Sequence, residues 1–293
     1  MATGQQDTVT MMTEARLREP KSTVGVYELP CGYVDAAGVL HTEVQLKEIT
    51  GRDEDMLANE KIPAGKKMNL LLASCVVRIG TISDKQAVAS IIPEMLIGDR
   101  VFLVLAIRRV SIGDDYPYTD TCPSCSKESL MSINLGELDI IKMADPLKRV
   151  FDARLPSASA IKEWSNSGED VPEPEKSKPT GRTIRFKQLV GKDEEKSTKA
   201  TGGAEAISTL LGLRILMLDE KPPTIDDLQN LTMSERSYIR DVVFRAGDGG
   251  VDTSLDVTCP QCQHEFKREL DITQVGFFFP SAAQKNSKTR SST

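Results

Sequence analysis

The chain has 293 residues, 39% apolar and 27% charged, and its 37 Lys and Arg against 43 Asp and Glu leave a net charge of −6. That acidic balance argues against a general nucleic-acid binder, which needs a basic face for phosphate. No apolar run approaches the roughly 20 residues that span a bilayer, and the first twenty residues lack the apolar core of a signal peptide, so a cytosolic setting is expected.

Residues 1–23 are polar and aperiodic and read as a flexible arm that orders on partners. Residues 24–115 read as a hairpin followed by helices. Tyr33–Leu40 has the pattern strand, turn, strand, with Gly38 free to take the left-handed turn position. Thr50 is a capping residue before the acidic first turn Asp53, Glu54 and Asp55. A second helix is expected over about Lys67–Val77, with Leu70, Leu71 and Cys75 on its apolar face. The clearest helical stripe follows Pro93, through Leu96, Ile97, Val101, Leu103, Val104 and Ile107.

Alternation from Tyr116 marks residues 116–142 as a hairpin around Cys122-Pro123-Ser124-Cys125. The pattern recurs over 251–275 around Cys259-Pro260-Gln261-Cys262, and the two hairpins end alike, in Leu138-Asp139-Ile140 and Leu270-Asp271-Ile272. Between them, 143–250 reads as a helical insertion with a long exposed excursion over about 166–203, in which Thr183–Val190 has strand character. Ile207 to Leu216 forms one apolar helical segment. Thr224 caps a short helix, and Thr232 with Glu235 makes a capping box. Gly247, Gly249 and Gly250 permit the return to the second hairpin. Residues 276–293 are a C-terminal tail beginning with Phe277, Phe278, Phe279 and Pro280. In an extended strand these three rings cannot all face one local core, so the segment is expected to bind a neighbouring protein, with docking on its own domain as the alternative.

Each Cys-Pro-x-Cys pair supplies two thiols at the spacing that grips one face of a tetrahedral ion. Cys122, Cys125, Cys259 and Cys262 together complete a four-thiolate set for one structural Zn2+. In a reducing compartment such pairs mean metal or redox chemistry before disulfides. A redox pair would open a helix after a strand, whereas both pairs here lie between strands. An ion joining them ties off segment 126–258 at its base, as a staple does. His264 could ligate, but four thiols already fill the site; His41 reads as exposed and inert. Cys75 reads as a buried small hydrophobe and Cys31 as buried near a turn. Arg100, Arg108 and Arg109 read as a solvated or ion-paired helix face. No nucleophile elbow, P-loop, dinucleotide fingerprint or HExxH occurs, so no catalytic residue and no small-molecule substrate is assigned. The fold class expected is α+β: a helical domain with an N-terminal β-hairpin, joined to a zinc-ribbon-like pair of β-hairpins.

Three runs, Ile49–Asp55, Leu70–Cys75 and Ile97–Leu103, resemble tail-assembly and baseplate proteins of contractile-tailed phages. The two Cys-Pro-x-Cys pairs and the closing Phe278-Phe279-Pro280-Ser281 fit the same picture, and the family most similar is the T-even-type baseplate hub subunit. The resemblance spans about 24–142 and 205–281, and the excursion at 166–203 departs from it. It implies a non-enzymatic structural or assembly component of the baseplate, built in the host cytoplasm and located in the virion tail, with other tail proteins as partners. The competing reading is a zinc-ribbon nucleic-acid-binding or transcription factor, which the acidic balance weakens. A metal-dependent enzyme ranks last, because four thiolates leave no open coordination position.

Overall fold

A computed structural model describes residues 25–167, 182–200, 206–244, 248–272 and 275–279. The expected arm over 1–23, part of the excursion at 166–203, Pro280 and the rest of the tail lie outside these residues. The fold is mixed α+β, as expected. Strands β1 (Gly25–Val34) and β2 (Leu40–Leu46) form a hairpin, closed where Gly38 takes φ 80°. Helices α1 (Gly51–Ala58) and α2 (Ala64–Cys75) follow, then β3 (Val76–Ile79), α3 (Lys85–Ile91) and α4 (Ile97–Ile112). Asp53 accepts from the Thr50 N–H at 2.9 Å and its hydroxyl at 2.7 Å, fixing the start of α1. The hairpin β4 (Asp115–Thr121) and β5 (Glu128–Asn134) comes next, and β6 (Ile140–Ile141) ends this half.

The second half repeats the plan. Strands β7 (Val150–Arg154) and β8 (Thr183–Lys187) pair, with α5 (Ala158–Ser167) between them in sequence. Then come α6 (Gly191–Ala200), α7 (Ala206–Arg214), β9 (Ile215–Leu218) and α8 (Ile225–Gln229). Helix α9 (Met233–Tyr238) continues as a π-helical turn over Ile239–Val243. Strand β10 (Gly250–Val251) pairs with β6, and the hairpin β11 (Ser254–Thr258) and β12 (Glu265–Glu269) precedes α10 (Val275–Phe278).

The repeat extends to individual residue pairs. In the sheet β1-β2-β3, Val44 faces Ile79, Gln45 faces Arg78, and Leu46 faces Val76 after a bulge. In the sheet β7-β8-β9, Ile184 faces Leu218, Arg185 faces Met217, and Phe186 faces Ile215 after a bulge at the same step. A tight turn follows each third strand. It is held by the Ile79 N–H on the Ile82 carbonyl (2.9 Å) in one half and the Leu218 N–H on the Lys221 carbonyl (2.7 Å) in the other. Gly80 and Asp219 occupy its left-handed position, at φ 55° and 51°. A bulge bends a strand and raises its twist, so two bulges in one register give the sheets one curvature. Each then shelters a core: Val44, Leu46, Ile79 and Leu103 in the first half, Ile184, Phe186, Leu218 and Ile239 in the second.

Three expectations need correction. The helix expected to reach Val77 stops at Cys75, because Val76–Ile79 pairs with β2. Ile215 and Leu216 likewise leave the helix for β9, so 143–250 holds a three-stranded sheet as well as helices. Short apolar runs do not distinguish strand from helix by pattern alone, and here the available strand edge decides. The phenylalanine segment is helical over Val275–Phe278, not extended.

Helix α4 is the hub of the first half. Phe102 through Arg108 are all buried, so the helix has no solvent stripe over these turns. It ends where Gly113 takes φ 112°, a conformation that suits glycine. At its start a Cβ on Gly98 would lie 1.9 Å from the Gly249 carbonyl oxygen, so only glycine lets the returning chain cross here.

Candidate metal centre

Each cysteine pair sits on the tip of a two-stranded hairpin. Thr121 pairs with Glu128 at the end of the first ladder, and Thr258 with Glu265 at the end of the second. Both tips close alike. The Cys122 N–H meets the Lys127 carbonyl (3.1 Å) and the Ser126 N–H the Cys122 carbonyl (2.9 Å); the Cys259 N–H meets the His264 carbonyl and the Gln263 N–H the Cys259 carbonyl, each at 2.9 Å. Ser126 at φ 57° and Gln263 at φ 60°, each just after the second thiol, make the left-handed step that returns the chain to the second strand of its hairpin.

The hairpins bring the four sulfurs of Cys122, Cys125, Cys259 and Cys262 within 4.8 Å of one another. Across the pairs, Cys122 Sγ lies 3.7 Å from Cys262 Sγ and Cys125 Sγ lies 3.8 Å from Cys259 Sγ. Zinc–sulfur bonds of about 2.3 Å give a tetrahedron with edges of about 3.8 Å. The cluster can therefore hold one metal ion with little movement. Cys122 and Cys259 are buried, Cys125 is half-buried and Cys262 exposed, so the cluster opens to solvent on one side. Although desolvation opposes it, N–H groups of Cys262 and Gln261 bring the Cys259 thiol down to about 7, while against the His264 N–H, desolvation and the three neighbouring thiols push Cys262 up to about 12. The His264 ring stacks on Phe266 at 6.2 Å and lies outside the cluster.

The other residues singled out from sequence fall elsewhere. Cys31 and Cys75 are buried, as expected. His41 is not exposed: it is 6% accessible, and its Nε2 lies 3.0 Å from Asp35 Oδ2 across the hairpin turn. Arg109 makes a surface pair with Asp114 at 2.8 Å, but Arg100 and Arg108 are buried rather than solvated. Arg100 donates to the Ile92 carbonyl (2.9 Å) and meets Glu194 of the second half at 3.1 Å.

Arg108 seats the phenylalanine segment. It donates to the carbonyls of Phe277 (2.9 Å), Gly113 (2.7 Å) and Asp115 (3.0 Å). Its guanidinium lies 5.0 Å from the centre of the Tyr116 ring and 5.4 Å from that of Phe277. Phe277 and Phe278 are buried in the first core, at 0% and 3% exposure, and Phe279 is half-buried against it. Phe277 and Phe278 thus pack on their own domain, the alternative to docking on a neighbouring protein. A helical turn places consecutive side chains about 100° apart, not 180°, so both rings enter one core. The buried arginine that receives them had no sequence signal beyond a charge on an otherwise apolar helix.

No curated protein and no solved structure matches this chain. The matching family model is that of the T4 bacteriophage base plate protein, and its span, residues 34–163, runs from the first hairpin through the Cys122–Cys125 tip into α5. Over residues 34–163 the chain is thus similar to the T4 bacteriophage base plate protein family.

Proposed function

We propose that the chain is a non-enzymatic structural or assembly component of a contractile phage tail baseplate, in which one Zn2+ on Cys122, Cys125, Cys259 and Cys262 clasps two repeated halves. The observation that carries this reading is the convergence of two thiol pairs, one from each half, in a chain similar to baseplate proteins over 34–163. Four thiolates saturate a tetrahedral zinc ion and leave no position for water or substrate, which suits a staple and not a reaction centre. Its partners are then neighbouring tail proteins and its place the virion tail.

Elemental analysis of the purified, reduced chain should give one zinc per chain. Cys125→Ser should lose it. Structural zinc is worth on the order of 10 kcal/mol in small peptides, so the same variant should loosen both hairpins and cut incorporation into tails in a complementation assay. Absence of zinc from the reduced protein refutes the clasp. Normal tails assembled without the protein refute the baseplate role.

A further inference from the structure

The duplicated hairpins leave two grooves between them. One, of about 340 Å³, runs between β4 and β12; the other, of about 460 Å³, runs between β5 and β11. Tyr118 and Leu255 line both grooves and hold equivalent places in the two ladders, opposite Met131 and Arg268. By ladder position the two grooves are therefore counterparts of one another.

The two grooves differ at the residue that spans them. Arg268 crosses the first: its Nε meets Asp120 Oδ2 at 2.6 Å and its Nη2 donates to the Thr121 carbonyl at 3.1 Å. In the second groove the counterpart of Arg268 is Met131, and the counterpart of Asp120 is Val257. Neither Met131 nor Val257 can make such a bridge, so no ion pair of this kind spans this groove, and its lining mixes polar side chains with Met131, Ile133, Leu138, Leu255 and Val257. Its rim carries Glu137, Asp139, Asp252 and Asp256; no Lys or Arg lines it, and the cation beside it is Lys267, 3.9 Å from Asp256 across the β11-β12 ladder. The ladders β4-β5 and β11-β12 are each two-stranded, so among the described residues the outer edges of β5 and β11 pair with no further strand. Unpaired strand edges are templates for strand addition, with backbone hydrogen bonds giving affinity and alternate side chains giving selectivity.

We propose that this groove is a docking site for an extended segment of a partner protein in which apolar residues alternate with Lys or Arg. The segment enters as a strand between β5 and β11. Its apolar side chains face Met131 and Val257, and its cations face the acidic rim. The two zinc-hairpin tips close one end of the groove, and the bond from the Asp252 N–H to the Asp139 carbonyl (2.9 Å) closes the base. The proposal rests on the reading of the chain as a component that binds neighbouring tail proteins, and it names the chemistry of one of them.

The test titrates the zinc-loaded full chain into a fluorescein-labelled peptide of about eight residues, a typical strand length, alternating valine and lysine. Fluorescence anisotropy should show saturable binding. Met131→Arg supplies the guanidinium that closes the other groove and should weaken binding on the order of tenfold or more. Asp256→Lys reverses one rim charge on a side chain that is 88% exposed, and should weaken binding and flatten its salt dependence. The proposal is overturned by absence of saturable binding, by unchanged affinity in either variant at full zinc content, or by equal binding of a valine–glutamate peptide. Should Met131→Arg fail to fold, the exposed Asp256→Lys decides alone. A chain that binds no peptide but holds zinc and enters tails overturns the groove and leaves the baseplate reading standing.

Discussion

Phe277→Ala tests whether the C-terminal helix belongs to this chain's own core. The ring is fully buried; its centre lies 5.2 Å from those of both Tyr116 and Phe278. A buried phenylalanine removes about 150 Å² or more from water, worth about 4 kcal/mol at 25 cal/mol per Å². Large-to-small substitutions of this kind cost about 3–5 kcal/mol. The loss has a ceiling, since α10 is four residues long and can undock once the remaining contacts fail to hold it. The lower end, about 3 kcal/mol, is expected, which for a chain of this size lowers the melting temperature by roughly 6–12 °C. Differential scanning calorimetry on zinc-saturated protein measures the shift, and zinc content should not change. An unchanged melting temperature together with failed incorporation into tails would refute the packing argument and return Phe277 to an interface.

Gly98→Ala should be among the most damaging small substitutions. Its methyl would sit 1.9 Å from the Gly249 carbonyl oxygen, and relieving that overlap should cost at least about 2 kcal/mol, read from the urea midpoint. Arg108→Met leaves the Phe277, Gly113 and Asp115 carbonyls without their donor; at about 1–3 kcal/mol for a buried unpaired group, it should destabilise the fold more than Arg109→Met, whose surface pair contributes little. Asp99 sets a pH dependence. Burial pushes its carboxyl up to about 6, against the Cys31 and Gly32 N–H groups and Arg149. The folded value lies above the ordinary 3.8, so the folded chain keeps this proton longer than the unfolded chain. Its contribution to stability is greatest below pH 3.8 and falls as the pH rises through about 6, by about 3 kcal/mol at full ionisation. Asp99→Asn should flatten that limb of the stability curve; an unaltered slope would show that other groups govern it.

The metal centre was legible because its chemistry is local. The two-residue gap inside each pair and the strand alternation around it are set by the backbone over a few residues, and a tight turn holds the thiols whatever surrounds it. The capping signals at Thr50, Thr224 and Thr232 and the stripe of α4 are likewise local. Burial was less legible. The charge of Arg108 and the ring of His41 suggest solvent, but three carbonyls receive the first and Asp35 the second, and those partners are assembled by the fold.

The sequence by itself determined that two like hairpins present four thiols, because spacing and alternation are properties of consecutive residues. It also carried the resemblance to baseplate proteins. Only the tertiary structure decided that the repeat extends beyond the hairpins to the two three-stranded sheets, since the bulges and registers of β2-β3 and β8-β9 match while their residues differ. A sheet constrains which positions face the core, and many apolar side chains satisfy that constraint, so the repeat survives in geometry after it has faded from the residues. The same holds for the phenylalanines and the two grooves. Whether Phe277 meets its own core, or Met131 stands where Arg268 does, depends on groups more than a hundred residues away in sequence that packing alone brings together.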